Sequence, residues 1–531
     1  MSSRLLHEGF SARAQARPEA TALAFKDETL SYGVLESASN RLAQLLVAAG
    51  CRPGDRVALL MPKSPAAIIA MLGALKAGAI YVPMDPDSPA VRLGRVLELA
   101  DCRCVLAAGP VGSRLQEALA LANCAQRPLV GWMDELPAFA DFTLRDLAAQ
   151  PSGAPALARA AGDAALILFT SGSTGQPKGV TLTHANVAAF LDWAIAYFGI
   201  REDDRVSQHA PLRFDISTFD IYGALWSGAE VHLVPPELNL LPHKLAQFIR
   251  ESRLTQWFSV PAVLNLLAKF EVVAQGDFPD LRRVLFAGEV LPTPTLAHWM
   301  RRLPHARFTN LYGPTETTIS SSYYTLPGCP ADERAPIPIG RACAGEELLV
   351  LDDKLQPVAA GETGELCIAG AGLSPGYWRD ARRTGEAFVP GPGGERIYRT
   401  GDLARRDAQG LVYFQGRADT QIKSRGYRIE LGEIEAALHS VRWLRESAVV
   451  AVRSEGFEGW LICCAYACAQ QDGALSTESL RRSLAALLPG YMLPARWLRC
   501  EALPKNESGK IDRVALRAAF QGAEARVGQA A

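Results

Sequence analysis

Between Leu168 and Gly179 the chain reads LFTSGSTGQPKG. Thr170, Ser171, Ser173 and Thr174 supply hydroxyls, Gly172 and Gly175 let the backbone approach a ligand closely, and Lys178 adds a cation. Residues of these types can surround phosphate oxygens with hydroxyl and N–H donors. The spacing is not that of the P-loop, because no Gly-Lys-Ser/Thr follows the required gap. A polar surface turn would use the same residues, so the loop alone leaves both readings open. The apolar run Ala164–Phe169 before it reads as a buried strand.

Other segments extend the pattern. They are NLYGPTETTI (Asn310 to Ile319), GELCIAG (Gly364 to Gly370), YRTGDLARRDAQGLVYFQGRADTQIKSRGYRIELGEIE (Tyr398 to Glu435) and LPKNESGKIDR (Leu503 to Arg513). In this order and spacing they resemble the adenylate-forming superfamily. Within it they resemble free-standing amino-acid adenylation enzymes of the nonribosomal-peptide type. The likeness covers nearly the whole chain.

The resemblance implies an α/β fold. A large N-terminal domain of stacked α/β sheets with a small β-barrel-like part is expected over residues 1–418. A small mobile α+β lid is expected over residues 419–531, with a hinge near Asp419. It implies ATP and Mg²⁺, and attack of a carboxylate on the α-phosphorus to give an acyl adenylate and pyrophosphate. Thr170, Ser171, Gly172, Ser173, Thr174 and Gly175, with Lys178, match the phosphate loop. Thr315 and Glu316 match the pair beside the α-phosphate, with Glu316 as the metal ligand; a hard cation prefers such an oxygen donor. Tyr312 would stack on adenine, Asp402 would hold the ribose hydroxyls and Arg417 would assist. Gly288, Asn310 and Gly313 complete the expected ATP site. Lys510 matches the catalytic lysine that bridges the attacking carboxylate and the ribose side of ATP.

The acid is read from Phe214-Asp215-Ile216-Ser217. By resemblance Asp215 pairs with a substrate α-ammonium; an ammonium in an apolar pocket needs such a partner. Asp215 or Ser217 could instead cap a helix over Thr218–Trp226. The matching pocket positions are Ile216, Phe219, Phe258, Leu285, Ala287, Leu311, Ile319 and Ser320, nearly all apolar. They imply a small neutral amino acid, with L-proline placed ahead of valine, 2-aminobutyrate and isoleucine. Arg213 departs from the pattern, standing where relatives often carry His or an aromatic ring. The lid segment Lys423–Gly426 would approach a thiol in a second half-reaction. Its donor would be a phosphopantetheinyl carrier protein supplied in trans, since no carrier-type Ser motif follows. The alternative is an acyl-CoA synthetase for a small carboxylic acid.

The elements that must position these residues are partly visible. Leu35, Leu42, Leu45 and Leu46 share one face of a helix that Ser31 can cap and Gly50 can end. Strand, helix and strand follow at Val57–Met61, Pro65–Ala77 and Ala79–Val82, a parallel βαβ unit. Strands are expected at Glu446–Val452 and Leu461–Ala467, then a helix carrying Leu480, Leu484, Leu487 and Leu488, and a loose tail from Gly522. The chain has 531 residues, 49% of them apolar, and a net charge of -1. That balance argues against a nucleic-acid partner or a membrane surface. No run is long enough to span a bilayer, and the N-terminus lacks a secretory signal. The eleven Cys show no metal spacing and read as core thiols. A cytoplasmic protein is expected.

Overall fold

Ala164–Phe169 does form a strand, Ala164–Thr170, buried in the middle of a sheet. It pairs antiparallel with Lys178–Thr183 in a register that sets Thr170 opposite Lys178, so the Ser/Gly loop closes over a narrow neck. The fold is that of a computed structural model describing residues 4–134, 139–172, 175–441, 443–454, 459–468, 476–506 and 510–527. On its other side the same strand meets Ile80–Pro83, which runs parallel to Arg56–Leu60. The helix Pro65–Lys76 links these two strands, as the alternating pattern predicts. The helix Tyr32–Ala48 also starts as expected, with the Val34 N–H donating to Ser31 Oγ at 3.3 Å.

A nine-stranded sheet carries the parallel run Arg205–Gln208, Gln256–Ser259, Arg283–Ala287 and Arg307–Tyr312. A five-stranded antiparallel sheet, built on the long strand Arg396–Arg406, supplies the barrel-like part. Beyond Arg417 the chain is α+β. The hairpin Gln421–Ser424/Tyr427–Glu430 leads into a three-stranded sheet of Leu444–Arg453, Trp460–Cys468 and Arg496–Arg499. Its core holds Ile434, Leu438, Leu480 and Leu484 from two covering helices.

Three expectations change. The helix expected to carry Leu480, Leu484, Leu487 and Leu488 ends at Ala485, leaving Leu487 and Leu488 in the turn that follows. The predicted helix Thr218–Trp226 starts earlier, at Ile216, and opens into one wide turn over Phe219–Gly223 before closing again at Ala224–Ser227. Gly223 permits it: a Cβ there would stand 2.9 Å from the Phe219 ring. The tail expected to be loose from Gly522 continues as the helix Arg513–Val527, since its Ala, Glu and Arg are good helix formers. None of the eleven Cys is in a disulfide, and most are buried. No helix among the described residues is long and apolar enough to cross a membrane.

Candidate active site

The loops after the strands Gln256–Ser259, Arg283–Ala287 and Arg307–Tyr312 meet the loop after Ala164–Thr170 at one cavity, as ligand sites do at the carboxyl ends of parallel strands. Thr170, Ser171, Asp215, Ile216, Ala287, Gly288, Gly313, Thr315, Ile319, Asp402 and Arg417 all line it. The C-terminal domain closes it with Lys423, Gly426 and Arg428, leaving about 140 Å³ free.

Glu316 follows Thr315 but does not itself line the cavity; it lies behind the lining with no exposed surface. One carboxylate oxygen accepts from Lys178 Nζ at 3.0 Å and from the Tyr377 hydroxyl at 2.9 Å; the other accepts from Arg428 at 2.7 Å. Burial alone would raise the Glu316 carboxyl, but Arg428 and Lys178 outweigh it and hold it well below the usual carboxylate range. Burial and the nearby Arg428 lower Lys178 in turn. Ser171 Oγ donates to the Arg428 carbonyl at 2.6 Å, tying the loop to the same residue.

A second carboxylate, Asp402, accepts from the Tyr312 hydroxyl at 2.5 Å and from Arg417. Arg417 also reaches Asp419 at 2.6 Å, so both carboxylates share one guanidinium. Burial, with Asp402 alongside, keeps the Tyr312 phenol far above its ordinary range and therefore protonated. Asn310 is turned away, donating to the Pro338 carbonyl at 2.8 Å.

Asp215 opens the helix at Ile216, and its carboxylate accepts from the Ile216 N–H at 2.8 Å. The capping role and the cavity-facing role therefore coexist in one residue. Burial pushes this carboxyl up to about 6, against the Thr315 hydroxyl, two N–H groups and Lys423, which act to lower it. Behind it the sheet register sets Phe258 beside Leu285 and Ala287 beside Leu311. Only Ile216, Ala287 and Ile319 of the expected apolar positions reach the cavity. Phe219, Phe258, Leu285 and Leu311 lie in the core behind them, with Phe219 edge-to-face against Phe258 at 6.0 Å. Ser320 is buried and its hydroxyl has no protein partner.

Lys510 is not brought to the cavity. It is exposed on the C-terminal domain, where its N–H donates to Asn506 Oδ1 at 2.9 Å. Ser173 and Thr174 lie outside the described residues. The sequence reading missed Arg428, Tyr377 and Glu289, which accepts from the Gly426 N–H at 2.7 Å. Arg428 stands inside the quoted motif GYRIELGEIE, but its partner lies 112 residues away, a distance no local pattern reports.

Residues 10–378 match the family model for the AMP-binding enzyme, and residues 433–510 match the AMP-binding enzyme C-terminal domain. The chain belongs to the AMP-binding enzyme family. It is therefore a ligase of the adenylate-forming type. It is 36% identical over 98% of its length, and 100% of the relative's, to an L-proline–(L-prolyl-carrier protein) ligase of Pseudomonas fluorescens. It is 37% identical to a dimodular nonribosomal peptide synthase of Bacillus subtilis, over 97% of this chain but only 21% of that one. Among solved structures it resembles the Vibrio cholerae adenylation domain AlmE in complex with glycyl-adenosine-5'-phosphate, with TM-score 0.84, 26% identity and 98% of each chain covered.

ATP is the nucleotide of this family, and the cavity suits it. The Thr170 hydroxyl is buried without a protein partner. A Cβ at Gly172 would stand 2.1 Å from the Gln176 carbonyl, so only glycine lets the loop fold back on itself.

Proposed function

We propose that this enzyme activates a small neutral amino acid as its aminoacyl adenylate and passes it to the phosphopantetheine thiol of a separate carrier protein. The observation that carries this reading is Asp215, a carboxylate buried in a cavity that Ile216, Ala287 and Ile319 also line. An ammonium is the partner that would offset its desolvation. The relative named for L-proline supports placing proline ahead of valine, 2-aminobutyrate and isoleucine.

In this reading Thr170, Ser171 and the glycines hold phosphate oxygens, and Tyr312 and Asp402 hold the nucleoside end. Lys178 and Thr315 face the charge that develops on the phosphoryl group. Preorganised donors of this kind are worth about 10²–10³ in rate each. Mg²⁺, when bound, would neutralise phosphate charge, and Glu316 is the carboxylate able to hold it. Both Glu316 oxygens are engaged here, so Arg428 must withdraw first. We assign residues 1–418 to the core and 419–531 to the lid, with Asp419 at the hinge. The pose with Lys423 and Arg428 inside and Lys510 outside is the one for transfer. A turn about the hinge exchanges them.

The test is amino-acid-dependent exchange of labelled pyrophosphate into ATP, across the standard amino acids and 2-aminobutyrate. One strong signal from proline or a small aliphatic amino acid, lost in Asp215→Ala, is expected. Signal only with des-amino acids would move the enzyme to the acyl-CoA synthetases.

A further inference from the structure

Arg213, the residue that departs from the family pattern, points neither to solvent nor at Asp215. Its side chain is only 17% exposed and pairs with Asp85 at 3.2 Å, within the N-terminal domain. Three aromatic rings surround the guanidinium: Phe214 at 5.5 Å, Tyr427 at 5.3 Å and Tyr491 at 5.8 Å. Two of these rings belong to the C-terminal domain, from the hairpin strand Tyr427–Glu430 and the short turn Gly490–Met492. Tyr427 and Tyr491 stack at 3.9 Å with their planes 14° apart, and Phe214 meets Tyr427 edge-on at 5.3 Å. The neighbouring charges, Arg92 and Glu433, are paired with each other across the same contact.

We propose that Arg213 is a positioning residue that holds the C-terminal domain in the pose seen here, its flat guanidinium gripping the Tyr427–Tyr491 stack. Asp85 fixes the orientation of the guanidinium from within its own domain. The attraction to the other domain then falls on ring faces, where a planar, weakly hydrated cation is favoured over an ammonium. Each half of the contact is preorganised within its own domain, by the Arg213–Asp85 pair on one side and the Tyr427–Tyr491 stack on the other. The role proposed for the pose, thiol transfer, rests on the function proposed above; the grip itself does not.

The test uses the full chain and three variants: Arg213→Ala, Arg213→Lys and Tyr491→Leu. Hydrogen–deuterium exchange reads the grip directly. Amides of Tyr427–Glu430 and Gly490–Met492 should exchange at least tenfold faster in all three variants, with the strand Ala164–Thr170 unchanged. Where the wild type shows amino-acid-dependent pyrophosphate exchange, free pantetheine serves as the thiol probe. The kcat for aminoacyl-pantetheine formation should then fall at least tenfold relative to that for pyrophosphate exchange, with the KM for the amino acid unmoved. Wild-type amide exchange in every variant overturns the grip. So does a lysine variant that behaves as wild type, because the Asp85 pair alone would then suffice. A wild type without pyrophosphate exchange defeats the function reading, while the amide measurement still decides the grip.

Discussion

Asp215 ties the chemistry of the pocket to pH. Its carboxyl is pushed up to about 6 by burial, so above that pH it is the carboxylate that an ammonium needs, and below it the neutral acid. Well below that pH each further unit removes roughly tenfold of the charged form, since one unit is about 1.4 kcal/mol. On the proposed ammonium pairing, the KM for the amino acid in pyrophosphate exchange should therefore rise about fivefold between pH 6 and 5, as the charged form falls from about one half to about one tenth, and be nearly flat above pH 7. Asp215→Asn should bind weakly with no such slope. At this scale the sequence was most informative: a Phe-Asp-Ile-Ser string names its own candidate. Arg213, Tyr377 and Arg428 were less legible, because their meaning lies in partners from other segments. Arg213 could be flagged as unusual, yet the rings around it come from positions 427 and 491.

Elements with strong local signals came through. The capped helix Tyr32–Ala48 and the strands around it follow from hydrophobic period and cap residues. The wide turn Phe219–Gly223 did not, because it is set by ring packing over Gly223 rather than by propensity. Nor did the turn below Tyr312. There Thr318 and Ile319 hold φ values of 61° and 66°, uncommon for β-branched residues. The turn is pinned by the Thr318 hydroxyl donating to the Gly372 carbonyl at 2.6 Å and by the Ser320 N–H donating to the Thr318 carbonyl at 2.8 Å. Backbone strain of this kind gathers at binding sites. Gly313 makes room for it, since a Cβ there would lie 2.5 Å from Ser320 Cα. Gly313→Ala should cost about 1–3 kcal/mol, seen as a lower Tm. It should also impair pyrophosphate exchange, because Ile319 and Thr315 would be displaced together.

At the scale of the whole molecule, the small C-terminal domain presents Lys423 and Arg428 to a cavity that Asp215 and Asp402 also line. The motif order made two domains legible, but the pose is a property of their contact and left no local signature. Here the contact rests on Arg428 with Glu316, Arg92 with Glu433, and the N–H of Gly426 on Glu289. Lys510 stands in solvent on the same domain. If the domain turns between half-reactions, the two cations should fail in opposite ways. Lys510→Ala should lower pyrophosphate exchange by about 10²–10³, the scale of one lost donor to developing charge. It should still transfer from supplied aminoacyl adenylate, because the pose for transfer does not use it. Arg428→Ala should lower transfer more than exchange, because Glu316 then has only Lys178 and Tyr377 to meet and the docked pose loses its deepest charge contact. Equal losses in both assays for both variants would mean a single pose serves both steps. A crossed pattern means that the ion pair at Glu316 belongs to one half of the cycle and Lys510 to the other.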